Sequence, residues 1–387
     1  MQEKLAKSNT QLVPYTGPGR AVKKTITKKS FGADVVSYGS DFAGLGTSGI
    51  ALQKLLKKTP EVNLKGRHVF ACDQLSASKR FIMHSDPAER WDPDILTRGS
   101  MDELPVGKLA MYFFTSPCQG LSSAGLQQGA QDPRTQLFFS SVAVVEKYQP
   151  KCFLCENVNT LATWSKYKPF LEKIVEALES AGYTVEYRIL NSDVYVPHHR
   201  PRFYMMGIRN DQVRTQTKGV PKWPEFDFKP PTLQSIIQPL PTKLWKLHPP
   251  KKEAKGLHYN NVLSAYRAAQ VNPYIHPLII DMKASERFST WRDSESPCLT
   301  RSRCSNFGHW CSTKGGVLSV EEYARLQGFK PVDIPWKEAG LKEGQVAGML
   351  GNGQTLPLVM NLLPNLMFHA SLINFAQYQA LKKVRLL

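Results

Sequence analysis

Leu109-Ala110-Met111-Tyr112-Phe113-Phe114-Thr115-Ser116-Pro117-Cys118-Gln119-Gly120 is the stretch on which the reading of this chain turns. Its apolar run, Leu109 to Phe114, is short, rich in β-formers and closed by the turn residues Thr115, Ser116 and Pro117. That is the pattern of a strand buried in a parallel sheet. Cys118 follows at once, at the carboxyl end of the strand, where such a sheet presents its chemistry. A thiol there is a candidate nucleophile, although an isolated cysteine is more often a small buried hydrophobe. The loop from Gly120 to Arg134 is too rich in Gly and Ser for core and has the length of a lid.

The flanks extend the pattern. Upstream, the strand-like Asp34–Tyr38 runs into a glycine-rich turn, Gly39–Gly49, and then a helix carrying Ile50, Leu52, Leu55 and Leu56. Glycines let backbone approach a ligand, and the helix start offers unpaired N–H groups to a carboxylate or phosphate. The third glycine of a dinucleotide motif is missing, which disfavours NAD. The next strand, His68–Cys72, ends in Asp73, an acid placed to bind ribose hydroxyls or to cap a helix. Gly99-Ser100-Met101-Asp102 is positioned to close the far side of the pocket.

Downstream, Leu137, Phe138, Val142, Val145 and Tyr148 mark a helix stopped by Pro150. A strand, Lys151–Cys155, leads into Glu156-Asn157-Val158. Cys152 and Cys155 have CxxC spacing, but residues three apart on a strand face opposite sides, so both read as core. A helix with Phe170, Ile174, Val175 and Leu178 ends at Gly182. The strand Thr184–Leu190, the segment NSDVYVPHHRPR (Asn191–Arg202) and the strand Phe203–Ile208 complete an open, mainly parallel α/β sheet.

Composition narrows the function. With 387 residues and 42% hydrophobic residues, the chain can bury a full α/β core and a smaller second domain. The net charge of +18 points to a polyanionic partner, nucleic acid ahead of an anionic membrane surface. No apolar stretch is long enough to span a bilayer. The N-terminus lacks a signal-peptide core, and seven cysteines, an odd number, argue for a reducing compartment. The expected location is intracellular, nuclear if the source is eukaryotic.

Four regions follow: a basic flexible tail over 1–32, a catalytic, cofactor-binding domain over 33–210, a small irregular domain over 211–318, and a C-terminal part over 319–387. The irregular domain interleaves basic and aromatic residues (Lys243, Trp245, Lys246, Trp291, Arg292, Arg301, Arg303, His309, Trp310), a mixture suited to phosphates and bases. Cys298, Cys304, His309 and Cys311 lack the spacing of a common zinc knuckle, and no metal is expected.

Cys118 and Glu156 end strands joined by a single helix, so they can share a pocket, and alternation through Pro201 can aim Arg200 and Arg202 at one site. A thiol, a carboxylate and an arginine pair beside a nucleotide-type loop suit covalent attack on an electrophilic ring.

These residues resemble the cytosine-C5 DNA methyltransferase family, with its motifs in order. Phe42-Ala43-Gly44-Leu45-Gly46 is similar to the loop around the methionine part of S-adenosylmethionine, and Asp73 to the ribose acid. Pro117-Cys118-Gln119 matches the nucleophile motif, and Asp132, Arg134, Leu137 and Phe138 the start of the next helix. Glu156-Asn157-Val158 matches ENV, Arg200-Pro201-Arg202 the RxR, and Arg325–Phe329, with Glu322 ahead of it, the RLQGF segment. Gly351-Asn352 is similar to the closing GN of the cofactor site.

The resemblance implies a Rossmann-like S-adenosylmethionine-dependent sheet, with residues 211–318 as a target-recognition domain. It implies a catalytic set of Cys118, Glu156, Arg200 and Arg202, and cofactor contacts from Phe42, Ala43, Gly44, Gly46, Asp73, Pro117 and Asn352. The Cys118 thiolate attacks C6 of a flipped cytosine in double-stranded DNA while Glu156 engages N3 and the exocyclic amine. Arg202 holds O2, and Arg200 braces a loop or a phosphate. A cysteine flanked by basic groups is expected to have a lowered pKa.

The sequence departs from the family pattern at several places. Ser40 stands where an acid is usual, with Asp41 one residue late; Leu121 replaces a Phe and His198 a Gln; Ser100 stands at the adenine-contacting acid, with Asp102 as a substitute; and the Gln before GN is missing. Two other readings remain: a transfer-RNA cytosine methyltransferase, although the CFT tripeptide of that branch is lacking, and a DNA-binding scaffold of weak activity. Oligomeric state and target sequence are not encoded in any motif of the chain.

Overall fold

Seven strands build the main sheet among the described residues: β1 (Val35–Asp41), β2 (Lys65–Cys72), β3 (Arg90–Asp92), β4 (Met111–Phe114), β5 (Cys152–Val158), β6 (Tyr183–Asn191) and β7 (Pro201–Arg209). Their order is β3-β2-β1-β4-β5-β7-β6. Strands β3, β2, β1, β4 and β5 run parallel, and β7 is antiparallel to both β5 and β6. The expected α/β class and mainly parallel sheet are present. This computed structural model describes residues 35–99, 101, 104, 107–122, 127–214, 223, 229–237, 257–284 and 291–384. The expected basic tail, Ser100, Asp102, the middle of the Gly120–Arg134 loop, and Lys243, Trp245 and Lys246 lie outside the described residues.

The helices are α1 (Thr47–Lys58), α2 (Ser76–Ser85), α3 (Pro133–Tyr148), α4 (Thr160–Thr163), α5 (Lys168–Ser180), α6 (Leu233–Ile236), α7 (Leu257–Ala268), α8 (Arg301–Ser305), α9 (Val320–Leu326), α10 (Glu343–Asn352), α11 (Leu356–His369) and α12 (Phe375–Lys382). Strand alternation sorts them into layers. Met111 and Phe113 pack into one buried cluster with Leu52 and Leu55 of α1 and Leu362 and Leu363 of α11. Tyr112 and Phe114 pack into another with Phe138 and Val142 of α3 and Ile174 and Leu178 of α5. Each such side chain contributes roughly 1.5–3 kcal/mol on burial, so both faces of β4 anchor the sheet. Cys152 falls in the first cluster and Cys155 in the second, as alternation requires.

Several elements are longer than their apolar patterns. Asp132 caps α3 by accepting from the Arg134 N–H, so the helix starts at Pro133, ahead of its first patterned residue. Strand β5 continues through Glu156 to Val158 because β7 pairs with it along that whole length, Val158 opposite Arg202. Glu156 is therefore inside a strand and not in the turn beyond it.

A second sheet, β11-β10-β8-β9, joins β8 (Ile279–Asp281), β9 (Trp291–Arg292), β10 (His309–Cys311) and β11 (Gly316–Val317), all antiparallel. Helix α7 covers it through Val262 and Ala265 against Leu278, Ile280 and Trp310. Two residues expected to face nucleic acid are thus core. Trp310 is buried with its indole N–H donating to the Tyr266 hydroxyl at 3.2 Å, and His309 is buried against the Tyr323 hydroxyl at 3.1 Å. Arg303 pairs with Asp281 at 3.0 Å. Leu299, Cys304, Cys311 and Leu318 belong to the same buried cluster as β1 and α11, so this part of residues 211–318 shares the main core.

No helix among the described residues is long and apolar enough to cross a membrane. At the tip of β1, Asp41 accepts two hydrogen bonds of 2.8 Å from Arg98 and one of 2.6 Å from the Tyr112 hydroxyl, all buried. The acid that stands one residue late in the sequence is thus a structural counter-ion. Asp41→Ala strands a buried guanidinium and is expected to lower unfolding stability by about 3–5 kcal/mol in urea denaturation, with Asp41→Ala/Arg98→Met recovering part of it.

Candidate active site

The sheet brings four segments to one edge. Asp41 at the end of β1 pairs with Phe114 at the end of β4, and Phe114 pairs with Cys155 of β5. The loops that leave β1 and β4 therefore diverge side by side, at the point where the strand order reverses. Strand β7 runs the other way, so its first residues, Pro201 and Arg202, reach that same edge.

The turn after β4 is held from below. The Asn157 amide donates to the Ser116 carbonyl at 3.0 Å, and the Thr160 hydroxyl donates to the Leu121 carbonyl at 2.6 Å. The Cys118 carbonyl accepts from the Leu121 and Ser122 N–H groups at 3.0 and 2.8 Å. Gly120 lies against α3: a Cβ there would sit 2.3 Å from Thr135 Oγ1 and 2.6 Å from Asp132 Cβ. Leu121, which departs from the family pattern, is fully buried. Tyr167 caps the turn, its hydroxyl donating to the Gly120 carbonyl at 3.2 Å.

Cys118 is half-buried at this turn, and Glu156 is buried with its Oε1 3.4 Å from Arg202 Nε. Burial pushes the Glu156 carboxyl above its usual range, against the pull of Arg202 and Arg200. Cys118 corrects the expectation of a lowered pKa. Burial, followed by the neighbouring Glu156, pushes the thiol up, and the opposing pull of Arg202 and Arg200 is too small to reverse it. Arg202 reaches the Pro201 carbonyl at 2.8 Å and the Cys298 sulfur at 3.3 Å.

Arg200 does a different job. It is 2% exposed, and its guanidinium donates to the carbonyls of Leu299 at 2.7 Å, Gly351 at 3.2 Å and Gly353 at 2.8 Å. Nη1 and Nη2 hold backbone, while Nε has no partner among the described residues, and these bonds make Arg200 a brace for the closing glycine loop. His198 braces the same region: one ring nitrogen lies 3.2 Å from the Leu326 carbonyl and the other accepts from the Leu299 N–H at 3.0 Å. Burial holds this imidazole neutral, well below its usual range.

The loop after β1 forms a cradle. Phe42 takes a left-handed φ of 55°, and Gly44 and Gly46 follow at 54° and 71°. Phe42 is half-buried, with its carbonyl accepting from the Thr115 hydroxyl at 2.7 Å. The Ala43 N–H donates to the Cys72 carbonyl at 3.0 Å, and the Gly44 N–H to Asp73 Oδ2 at 2.8 Å. Asp73 Oδ1 accepts from the Leu75 N–H at 2.8 Å, so one carboxylate ties both loops together. Helix α1 opens beyond Gly46 with no side-chain cap.

Across from that helix start, Gly353 lies close enough that its Cβ would be 3.7 Å from Thr47 Oγ1. The Ser48 hydroxyl donates to Gln354 Oε1 at 2.7 Å. Two buried polar atoms here, Thr47 Oγ1 and Gln354 Nε2, have no partner among the described residues, nor has Ser116 Oγ in the turn after β4. Buried polar atoms are normally satisfied, so this cluster at a helix N-terminus fits a polar, charged ligand group such as an amino-acid carboxylate. Pro117 is half-buried in the neighbouring turn, and Asn352 is exposed as the last residue of α10.

The sequence reading did not single out Thr47, Ser48, Gln354 or Cys298 at this edge. Gln354 follows the GN pair by two residues, which was the available signal; Cys298 carried none. Asp193, His199 and Glu295 are the one group of metal-ligand type compact enough for an ion among the described residues. Glu295 is already paired with Arg292 there, and Asp193 accepts from the Asn191 amide.

Residues 92–367 match the profile of the C-5 cytosine-specific DNA methylases. This chain belongs to that family. It is 46% identical over 93 residues to the type II methyltransferase M.BanI of Aneurinibacillus aneurinilyticus, covering 24% of this chain and 22% of that one. It is 33% identical over 159 residues to M.HgiCII of Herpetosiphon aurantiacus, covering 40% and 34%. The matched parts thus span about a quarter to a third of these curated relatives.

Among solved structures, the Entamoeba histolytica methyltransferase EhMeth superposes with a TM-score of 0.58 over 87% of this chain and 98% of its own, at 15% identity. The S. pombe Dnmt2 methyltransferase gives 0.52 over 86% and 98%, at 17% identity. At those identities the likeness is one of fold.

The raised Glu156 carboxyl has a consequence for stability. The folded state holds that proton more tightly than the unfolded chain, whose Glu titrates near about 4.3, so folding loses stability as pH rises through and above that value. Glu156→Gln removes the titration. The melting temperature of the variant relative to the parent is expected to rise between about pH 4 and about pH 7, measured by thermal denaturation at both ends.

Proposed function

We propose that this chain transfers a methyl group from S-adenosylmethionine to C5 of cytosine in double-stranded DNA. The observation that carries the reading is the Cys118, Glu156 and Arg202 set, one loop away from a cradle whose buried polar atoms lack partners. Family membership supports the reaction class, and the net charge of +18 supports a polyanionic substrate in an intracellular setting.

The cofactor supplies an electrophilic methyl group when bound. Phe42, Ala43, Gly44 and Gly46 would hold it, with Asp73 available to the ribose hydroxyls, Pro117 and Asn352 at the borders, and Thr47 and Gln354 available to its carboxylate. Cys118 Sγ, once deprotonated, bonds to C6 of the flipped base and turns C5 into the nucleophile. Glu156, whose burial favours the protonated form, donates to N3 and spreads the charge that this addition creates. Arg202 fixes the O2 edge, while Arg200 acts at a distance by holding the Leu299 and Gly351–Gly353 backbone. Once C5 carries the methyl group, a solvent base takes the C5 proton, and its electron pair re-forms the C5–C6 double bond as the Cys118–C6 bond breaks. The target-recognition role falls to residues 211–318, and the catalytic role to residues 33–210 with 319–387.

Incubation with methyl-labelled S-adenosylmethionine is expected to label cytosine-containing duplex DNA, and Cys118→Ser to abolish labelling. Duplex carrying 5-fluorocytosine should form an adduct stable to denaturing gels with the parent protein and none with Cys118→Ser. Label in RNA alone would replace the substrate, and binding of DNA without any label would leave a scaffold.

A further inference from the structure

We propose that Cys298 is a positioning residue whose sulfur holds the Arg202 guanidinium in the orientation that also faces Glu156. The consequence for turnover rests on the methyl-transfer reading above; the contact itself does not. Among the described residues, three polar groups lie against the Arg202 guanidinium: the Pro201 carbonyl on Nη1 at 2.8 Å, Glu156 Oε1 beside Nε at 3.4 Å, and Cys298 Sγ on Nη2 at 3.3 Å. The first belongs to its own chain neighbour and moves with it. The other two come from separate segments and fix the guanidinium from two sides, and a planar fork is oriented by its fixed partners.

The sulfur is itself held in place. The Ser296 N–H donates to the Pro197 carbonyl at 2.7 Å, and the Ser296 carbonyl accepts from the His199 N–H at 2.9 Å. The Leu299 N–H donates to His198, and the Leu299 carbonyl accepts from Arg200. Cys298 lies between these clamped residues, so its Sγ is presented on a backbone with little freedom to turn.

The charged surroundings favour a thiolate. Arg202 and Arg200 both face this sulfur, the second through Nη1 at 3.8 Å. Burial works against ionisation, but the two guanidinium groups outweigh it and draw the thiol below its ordinary range. The other titratable groups facing this cluster include Cys304 from α8, His198, Tyr204 of β7 and, beyond Arg202, Glu156 and Cys118. Cys118 shows the opposite balance, since burial prevails there. The two thiols around Arg202 thus differ: burial prevails at Cys118 and draws it up, whereas the two guanidinium groups prevail at Cys298 and draw it down, which strengthens its sulfur as an acceptor for the arginine.

Two measurements test this. Iodoacetamide alkylation of the intact protein, followed by peptide mass analysis, is expected to label Cys298 ahead of Cys118 at about pH 7, and Arg202→Met to slow Cys298 labelling by about tenfold. Equal Cys298 rates in parent and variant would overturn the contact.

In methylation of a cytosine-containing duplex, Cys298→Ala is expected to lower kcat about tenfold with KM for S-adenosylmethionine unchanged, the scale of one hydrogen bond to a charged group. Cys298→Ser, whose hydroxyl also accepts from a guanidinium, should recover most of it. Rates are taken per active site, counted by 5-fluorocytosine adduct, so that a merely misfolded fraction does not register. A kcat for Cys298→Ala equal to the parent's overturns the inference. If the parent methylates no nucleic acid, the proposed function falls, and alkylation alone decides whether Cys298 holds Arg202.

Discussion

A buried guanidinium calls for acceptors, and Arg200 donates from Nη1 and Nη2 to three backbone carbonyls from two distant parts of the chain. Leu299 comes from the segment between β9 and β10, and Gly351 and Gly353 stand at the end of α10. Without that cation, nothing equally strong would tie the start of β7 to both. Close packing completes the joint, since a Cβ on Gly351 would sit 2.4 Å from the Thr300 carbonyl oxygen. Gln327 reinforces it, donating to the Leu350 and Gly353 carbonyls at 2.7 and 3.0 Å. The edge on which Cys118 stands is therefore assembled from pieces that are far apart in sequence and become neighbours through backbone hydrogen bonds.

The electrostatics of that edge follow from burial. Two carboxyl or thiol groups, Glu156 and Cys118, are pushed toward their neutral forms, while two arginines remain charged beside them. Burial thus works against negative charge on Cys118 and Glu156 before a substrate enters. The positive charge of the site is already placed where negative charge would develop on a ring during nucleophilic addition. The half-buried cradle beside it has the complementary design, with unpartnered hydroxyl and amide groups at a helix start.

Much of this was legible in the sequence, because strand burial and turn chemistry are local. The run ending at Phe114 and the glycines at 44 and 46 name their own structure through composition and spacing. The alternation that put Cys152 and Cys155 on opposite faces needed only the period of a strand. The order of the motifs carried the family. Less legible were the limits of β5 and the surroundings of His309 and Trp310. Strand β5 extends to Val158 because a partner strand pairs with it, and pairing is a property of two segments. His309 and Trp310 look like a nucleic-acid surface by residue type, yet α7 and Tyr323 cover them.

The sequence by itself determined the class of sheet, the identity of Cys118, Glu156 and Arg202, and the family to which they belong, since each rests on residues close together in the chain. Tertiary structure decided what those groups are in chemical terms. Depth of burial, which no tripeptide records, raised the Cys118 thiol where flanking arginines had suggested the reverse. The antiparallel course of β7 delivered Arg202 to the edge, and a backbone clamp far along the chain delivered Cys298 to meet it. Turned by that course and gripped from both sides, the arginine shows why residue identity is local while protonation and orientation are set by everything that packs around it.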